Sequence, residues 1–427
     1  MGKWALALFC AAIPLRAQED PQELLLAASR RVLETVDRLP RYVCTLTIDR
    51  TQYQINGVSK TRGCSEMLAE KKGGSWQRSL YSTDRLRLDV AAGLSREAFG
   101  ASGEMYSWVG EERFRDRGLF DIVRQGAIST GSFSGFLSSI FGGNIARFFY
   151  DGDREPKEKL LAQFGFSVPL EKSNLVYSDG DRRLQTRTAY DGTFLVNAAS
   201  SDLTRLEIHQ TMPPEADACE ATQTLDYQRM RLGERDFLLP KDSRLTILGV
   251  SSEVENHAVF SACHEFVGQS TVSFEEPPQS AAPGRRMQET VLPAGLPFRL
   301  ALSRPVDFRV AAAGDRIQAT VVAAVRDRSG RTVLPRGAEV SARLVRVERF
   351  ASPRSAVLGI RLDSVEIDGI AVPLTARSQS GVRRFQGTAG TRISLGPLDP
   401  FQDPDVGLFE FADAPLPQGQ ETNWVTR

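Results

Sequence analysis

The sequence predicts a mainly β, α+β protein: a curved antiparallel half-barrel sheet with a few helices, followed by a small β-barrel or sandwich. Three observations point to it. Alternating apolar and polar stretches of strand length recur between residues 42 and 274, with few helical patterns among them. Strands in such a run pair with their neighbours in an antiparallel sheet instead of alternating with helices. A second run of short strands at 290–377 is evenly punctuated by turn signals, as in a small barrel or sandwich. Between the two runs the composition changes: all eight lysines lie at or before Lys241, and the chain beyond residue 280 uses arginine alone.

Residues 1–17 read as a secretory signal. Lys3 supplies the positive end, residues 4–13 are apolar, and Ala17 is a small residue ahead of the cut. Ten apolar residues are too few to span a bilayer, so a periplasmic or secreted location is expected. Pro21 suits the first turn of a helix, and Leu24, Leu25, Ala28, Val32, Val36 and Leu39 form one apolar stripe before Pro40. A strand follows at 42–53, where Val43, Thr45, Thr47 and Asp49 alternate with Cys44, Leu46 and Ile48. Further strands are expected at 76–81, 85–90, 105–109 and 112–114. Residues 119–150 read as a helical stretch: Phe133, Phe136, Leu137, Ile140, Phe141, Ile145, Phe148 and Phe149 recur at helical spacing, broken by Gly142-Gly143. Strands resume at 164–170, 184–190, 192–197, 203–210, 221–230, 235–239, 244–250 and 254–274. Residues 18–275 thus make up the half-barrel domain.

The Pro-, Ala- and Gly-rich stretch within 276–289 reads as a linker. In the expected barrel domain, 290–377, the turns fall at Pro293-Ala294-Gly295, Ala313-Gly314-Asp315, Ser329-Gly330, Pro335-Arg336-Gly337 and Asp368-Gly369. Residues 378–427 are Gly- and Pro-rich with isolated aromatics, and read as an acidic tail that is loosely ordered or drapes over another domain.

Composition bounds the function. The 427 residues hold 53 basic and 53 acidic side chains, 41% hydrophobic and 25% charged, which are ordinary globular values. Net charge near zero argues against nucleic acid as a partner of the whole chain. The zero total conceals segments of different sign: residues 285–396 carry 19 arginines against 9 acids, and residues 397–427 carry 6 acids against one arginine. No Gly-x-Gly dinucleotide fingerprint and no phosphate-binding Gly-Lys-Ser/Thr loop occurs, so no cofactor is expected. His264-Glu265 begins like a zinc-protease helix, but Gly268 stands where the second histidine is needed. Gly131-Ser132-Phe133-Ser134-Gly135 has the outline of a nucleophile elbow with Phe133 in place of the serine. No metal or catalytic residue is therefore assigned.

Four cysteines remain after processing: Cys44, Cys64, Cys219 and Cys263. An even number in an oxidising compartment favours disulfides. Three pairings are open. Cys44 with Cys64 and Cys219 with Cys263 close short loops, and each pair flanks what read as neighbouring strands, so that pairing is preferred.

Two partial resemblances follow from these residues. The opening helix, the strand bearing Cys44 and the strand run behind it resemble the start of the half-barrel of outer-membrane lipoprotein carriers, which implies an apolar ligand. Leu292-Pro293-Ala294-Gly295, Ala313-Gly314-Asp315 and Val333-Leu334-Pro335-Arg336-Gly337-Ala338 resemble the β-barrel module of TrbI-like type IV secretion-channel proteins. The chain departs from that family in having no membrane anchor after processing and no helical insertion between barrel strands. As a whole it looks like the large uncharacterised secreted proteins of acidobacterial genomes.

The expected function is binding without catalysis: an envelope protein holding a lipid or other apolar ligand against the concave sheet. Phe133, Phe136, Leu137, Ile140, Phe141 and Phe148 are the candidate ligand-binding residues. The competing reading makes the same residues an ordinary core helix pair. The alternative function is an assembly component docking an envelope partner through the arginine-rich residues 290–377, and a secreted hydrolase ranks last.

Overall fold

The computed structural model describes residues 20–56, 63–92, 105–111, 128, 133–143, 145–154, 161–178, 185–213, 216, 218–265, 292–378 and 405–427. The signal segment 1–17 and the linker 276–289 lie outside the described residues. The described chain is mainly β with three helices, and its principal sheet is large, curved and antiparallel.

Helix α1 spans Pro21–Arg38. The Asp20 side chain accepts a hydrogen bond from the Gln22 amide at 2.9 Å, and Pro21 occupies the first turn, where no amide donor is missed. Leu24, Ala28 and Val32, four residues apart, are its buried face. Burial of Leu24 and Val32 contributes about 1.5–3 kcal/mol each. Leu39 is extended because Pro40 follows it. Helix α2 spans Cys64–Gly73 and ends at Gly74 in the left-handed conformation. Helix α3 spans Phe133–Phe141.

The strands of the N-terminal unit are β1 Tyr42–Ile55, β2 Arg78–Ala92, β3 Met105–Trp108, β4 Arg147–Arg154, β5 Leu161–Val168, β6 Val176–Ser178, β7 Gln185–Arg187, β8 Tyr190–Asn197, β9 Asp202–Thr211, β10 Ala218–Leu232, β11 Arg235–Gly249 and β12 Ser252–Glu265. Ten of them run in the order β3–β2–β1–β12–β11–β10–β9–β8–β5–β4, each pair antiparallel. Strands β6 and β7 form a separate hairpin. Alternation puts Cys44, Leu46 and Ile48 on one face, and α1 and α3 lie on that face over a single apolar core.

The C-terminal unit contains β13 Pro297–Leu302, β14 Arg316–Val321, β15 Val325–Arg326, β16 Thr332–Leu334, β17 Glu339–Phe350, β18 Ser355–Ile367, β19 Ile370–Pro373, β20 Ala376–Ser378, β21 Val406–Ala412 and β22 Glu421–Thr426. Its sheet runs β20–β22–β13–β14–β17–β18, and β19 and β21 share the far edge of β18. Among the described residues no ladder joins β21 to β20 or β22, so the sheet curls without hydrogen-bonded closure. A second core fills its interior.

Strand β2 joins the two units. One edge pairs with β1 along its length, while the other is divided between β17 at residues 82–84 and β3 at residues 88–91. One antiparallel sheet therefore continues from the first unit into the second. Among the described residues no helix is long and apolar enough to cross a membrane.

Three expectations change here. The disulfides are Cys44 with Cys263 and Cys64 with Cys219; the short-loop pairing is wrong. Sheet order brings β12 beside β1, and α2 carries Cys64 over β10, so partners distant in sequence become neighbours in space. The helical stretch expected over 119–150 contributes, among the described residues, only α3. Phe148 belongs to β4, since a period read through Gly142-Gly143 fits both states over so few residues. Finally, the expected tail supplies β21 and β22, and Trp424 lies fully buried in the second core. Its Nε1 donates to Thr422 Oγ1 at 2.9 Å and its ring packs 5.3 Å from that of Phe409.

Candidate functional site

The concave face of β4, β5 and β8 is an aromatic wall covered by α3. Directly opposed residues in an antiparallel pair share a face. The registers Phe148 to Phe166, Tyr150 to Phe164, and Phe164 to Phe194 therefore stack their rings on one side. Phe194 is the hub: its ring centroid lies 5.1 Å from Phe141, 5.3 Å from Phe164, 5.9 Å from Phe148 and 6.3 Å from Phe166. Phe141 stacks on Phe148 at 5.9 Å, Tyr150 meets Phe164 at 5.5 Å, and Tyr190 meets Phe166 at 6.2 Å. Each such contact adds about 0.5–1.5 kcal/mol beyond area burial. The wall reaches solvent at β4, where Tyr150 is 41% exposed. On the opposite face Phe149, 56% exposed, lies flat over Gly165. A Cβ at that glycine would come 2.1 Å from the Phe149 ring, so a larger residue there would push this exposed side chain aside.

Of the candidate ligand-binding residues, Leu137, Ile140 and Phe141 are buried between α3 and the sheet, and Phe136 and Phe148 pack against the same core, partly buried. The side chain of Phe133 lies outside the described residues. The structure thus joins Phe148 to the helix residues across an element boundary. It adds Tyr150, Phe164, Phe166, Tyr190 and Phe194, which the sequence reading passed over. Phe164-Gly165-Phe166 at alternating positions was the available signal.

Helix α3 contains no charged residue. Among the described residues its one buried polar side chain, Ser139, is matched by Asn174, whose Nδ2 donates to Ser139 Oγ at 2.8 Å. Burial pushes the Tyr190 hydroxyl up to about 12, against a smaller opposing effect of the neighbouring Ser139. The wall is therefore uncharged at neutral pH. The three histidines lie elsewhere, on β9 and β12: His209 is 2.9 Å from Glu207, His257 pairs with Asp242, and His264 contacts its own strand through the Ala262 carbonyl. Among the described residues no group of three or more His, Cys, Asp or Glu could hold a metal ion.

Several arginines of the second unit are engaged within the molecule. Arg316, Arg343 and Arg361 stand directly opposite one another across β14, β17 and β18. Like charges in that arrangement repel. The turn after β3 offsets this by presenting its backbone. The Gly110 carbonyl accepts from Arg316, the Val109 carbonyl from Arg343 at 2.9 Å, and Glu111 lies 3.6 Å from Arg361. Arg343 is 2% exposed and also donates to the Gly314 carbonyl at 2.7 Å. Burial pulls its pKa below the ordinary arginine value, opposed by the more distant Asp363 and Glu111.

Along the same seam Arg50, Asp84 and Glu348 form one register row across β1, β2 and β17, with Arg346 bonded to Glu348. Burial opposes the Arg50 charge, yet the adjoining Asp84 and the nearby Glu348 raise its pKa. The Ala313-Gly314-Asp315 turn closes the seam. The Ala313 amide donates to the Arg85 carbonyl at 2.8 Å, the Arg87 amide donates to the Ala313 carbonyl at 2.7 Å, and Arg87 pairs with Asp315. At Gly314, φ is 111° and a Cβ would come 2.0 Å from the Arg87 carbonyl oxygen. Arg349 pairs with Asp413, and Arg299 with Glu421. Much of the positive segment is thus neutralised inside the molecule, partly by the acidic C-terminal residues.

No family profile matches the chain, and no curated protein matches it. Two solved structures show a likeness. One, described as an outer membrane lipoprotein-sorting protein domain from Vibrio parahaemolyticus, is 10% identical, covers 59% of this chain and 95% of its own, and has a TM-score of 0.27. The other, a DUF1329 family protein from Desulfovibrio piger, is 9% identical, covers 58% and 95%, and has a TM-score of 0.24. Likeness at this level carries no argument about fold or function.

Proposed function

We propose that the protein is a cell-envelope binding protein that holds an apolar ligand, such as a lipid acyl chain, against the concave face of its sheet. The observation that carries this reading is the aromatic wall. It is continuous from fully buried Phe194 to half-exposed Tyr150, and a short uncharged helix covers it. An acyl chain entering at Tyr150 would exchange ring–ring contacts for ring–chain contacts as α3 yields. The wall offers no charged group, so orientation of a ligand would fall to the Ser139, Asn174 and Tyr190 cluster, and the role is binding without catalysis. Two disulfides support an oxidising compartment, in keeping with the signal pattern at the N-terminus.

The test is titration of the purified protein with a fluorescent fatty acid, alongside native mass spectrometry of the protein as isolated. Saturable probe binding, weakened several-fold by Tyr150→Ser with an unchanged far-UV spectrum, is expected. Absence of probe binding and of any co-purifying lipid would refute the reading. The assembly role has less support, because Arg316, Arg343, Arg346, Arg349 and Arg361 are all engaged within the molecule.

A further inference from the structure

Strands β15 and β16 form a two-stranded sheet of their own beside the second unit. Val325, Val333 and Leu334 sink into that unit's core, which fixes the hairpin in place. Everything else on it that is charged and exposed is arginine: Arg326, Arg328 and Arg331, with Arg336 in the turn that follows. The single acid, Asp327, is committed to the turn. Its carboxylate accepts from the Ser329 amide at 2.9 Å, the Ser329 hydroxyl at 2.5 Å and the Arg331 amide at 3.0 Å. Those bonds hold its pKa below the ordinary carboxylate value. Arg331 lies 3.4 Å from Asp327, and Arg326 donates to the Gly330 carbonyl at 3.0 Å. Arg328 and Arg336 make no ion pair among the described residues.

This distribution differs from that along the seam, where arginines meet carbonyls and carboxylates. We infer that the β15–β16 hairpin is a docking surface for an anionic phospholipid bilayer, its guanidinium groups contacting headgroup phosphates. Guanidinium forms paired hydrogen bonds to phosphate, and several basic side chains on one rigid tip add their attraction to a negatively charged surface. Residues 328–331 form an exposed turn with no large apolar side chain. A convex charged tip suits a flat surface better than an extended chain that needs a groove. Contact of this kind is peripheral and salt-sensitive, without insertion into the hydrocarbon.

The experiment is co-sedimentation of the full processed chain with phosphatidylcholine vesicles, with and without phosphatidylglycerol, at low and high salt. Sedimentation with the anionic vesicles alone, lost at high salt, is expected. Arg328→Ser with Arg336→Ser leaves every bond within the hairpin intact. At about fivefold per arginine, the double variant weakens binding by about 25-fold, while Arg328→Lys with Arg336→Lys retains most of it. Equal binding to neutral vesicles, no binding at low salt, or an unaffected serine double variant would overturn the inference. So would binding to soluble heparin without binding to vesicles, which would point to an acidic glycan instead. Fatty-acid probe binding at the concave face is a separate readout that these variants leave unchanged, so the two proposals fail independently.

Discussion

Replacing Cys64 and Cys219 by serine removes the bridge that ties α2 to β10 and leaves the bridge between Cys44 and Cys263 in place. The lost bridge spans 155 residues of sequence, and the remaining one spans 219 and encloses it. For a lone bridge of that span, loop-closure entropy destabilises the unfolded chain by about 5 kcal/mol. The enclosing bridge already shortens the path between residues 64 and 219 in the unfolded chain. The second link then restricts less, and the expected loss is about 4 kcal/mol, an upper figure because real unfolded chains are partly compact. The assay is equilibrium urea unfolding of the native protein and the double variant without reductant, with peptide mapping of the native bridges. A loss under about 1 kcal/mol at unchanged m-value would refute the reasoning, as would peptides linking Cys44 to Cys64.

Three further outcomes are expected. Trp424→Ala should cost about 3–5 kcal/mol in urea unfolding, because that ring fills the second core against Phe409; a change under about 1 kcal/mol would return residues 405–427 to the status of a tail. Arg50→Gln leaves Asp84 and Glu348 facing each other across the seam without their shared cation, and about 3 kcal/mol should be lost; hydrogen exchange should show the β1, β2 and β17 amides as the ones exposed. Asp202 supplies a pH dependence. Burial works to raise its pKa, but hydrogen bonds from Arg229 and Arg31 outweigh burial and hold it below the ordinary 3.8. A depressed folded value means that its stabilisation is complete above the ordinary carboxylate pKa and is lost as pH falls through the folded value. Protection of α1 amides, which Arg31 links to β9, should hold from neutral pH to about pH 5 and decline below about pH 4; Asp202→Asn should abolish that decline.

Local chemistry made much of this protein legible before any coordinates. Pro21 and the Leu24, Ala28, Val32 spacing specify α1 at both its start and its buried face, since a first-turn proline and a 3.6-residue period act within a few residues. The alternation of Cys44, Leu46 and Ile48 likewise assigns β1 its inward side. The Ala313-Gly314-Asp315 signal marked a turn correctly, but not that this turn latches one unit onto β2. That role depends on the Arg85 and Arg87 backbone, more than 200 residues away in sequence.

The candidate site was half readable for the same reason. Leu137, Ile140 and Phe141 lie on one helical face and could be grouped by period. Phe164, Phe166 and Phe194 join them only because β5 lies between β4 and β8, an order set by strand pairing across the whole sheet. Charge shows the division most plainly. The arginine excess at 285–396 is a property of composition, but which arginines face outward is not. Register places Arg316, Arg343 and Arg361 in one row under the β3 turn, and leaves Arg326, Arg328, Arg331 and Arg336 in water. By itself the sequence determined the strand-rich class and the faces of individual elements, because propensity and periodicity are local. The tertiary structure decided the disulfide partners, the fate of the C-terminal residues and the allocation of charge, because each depends on which distant strands come to lie side by side.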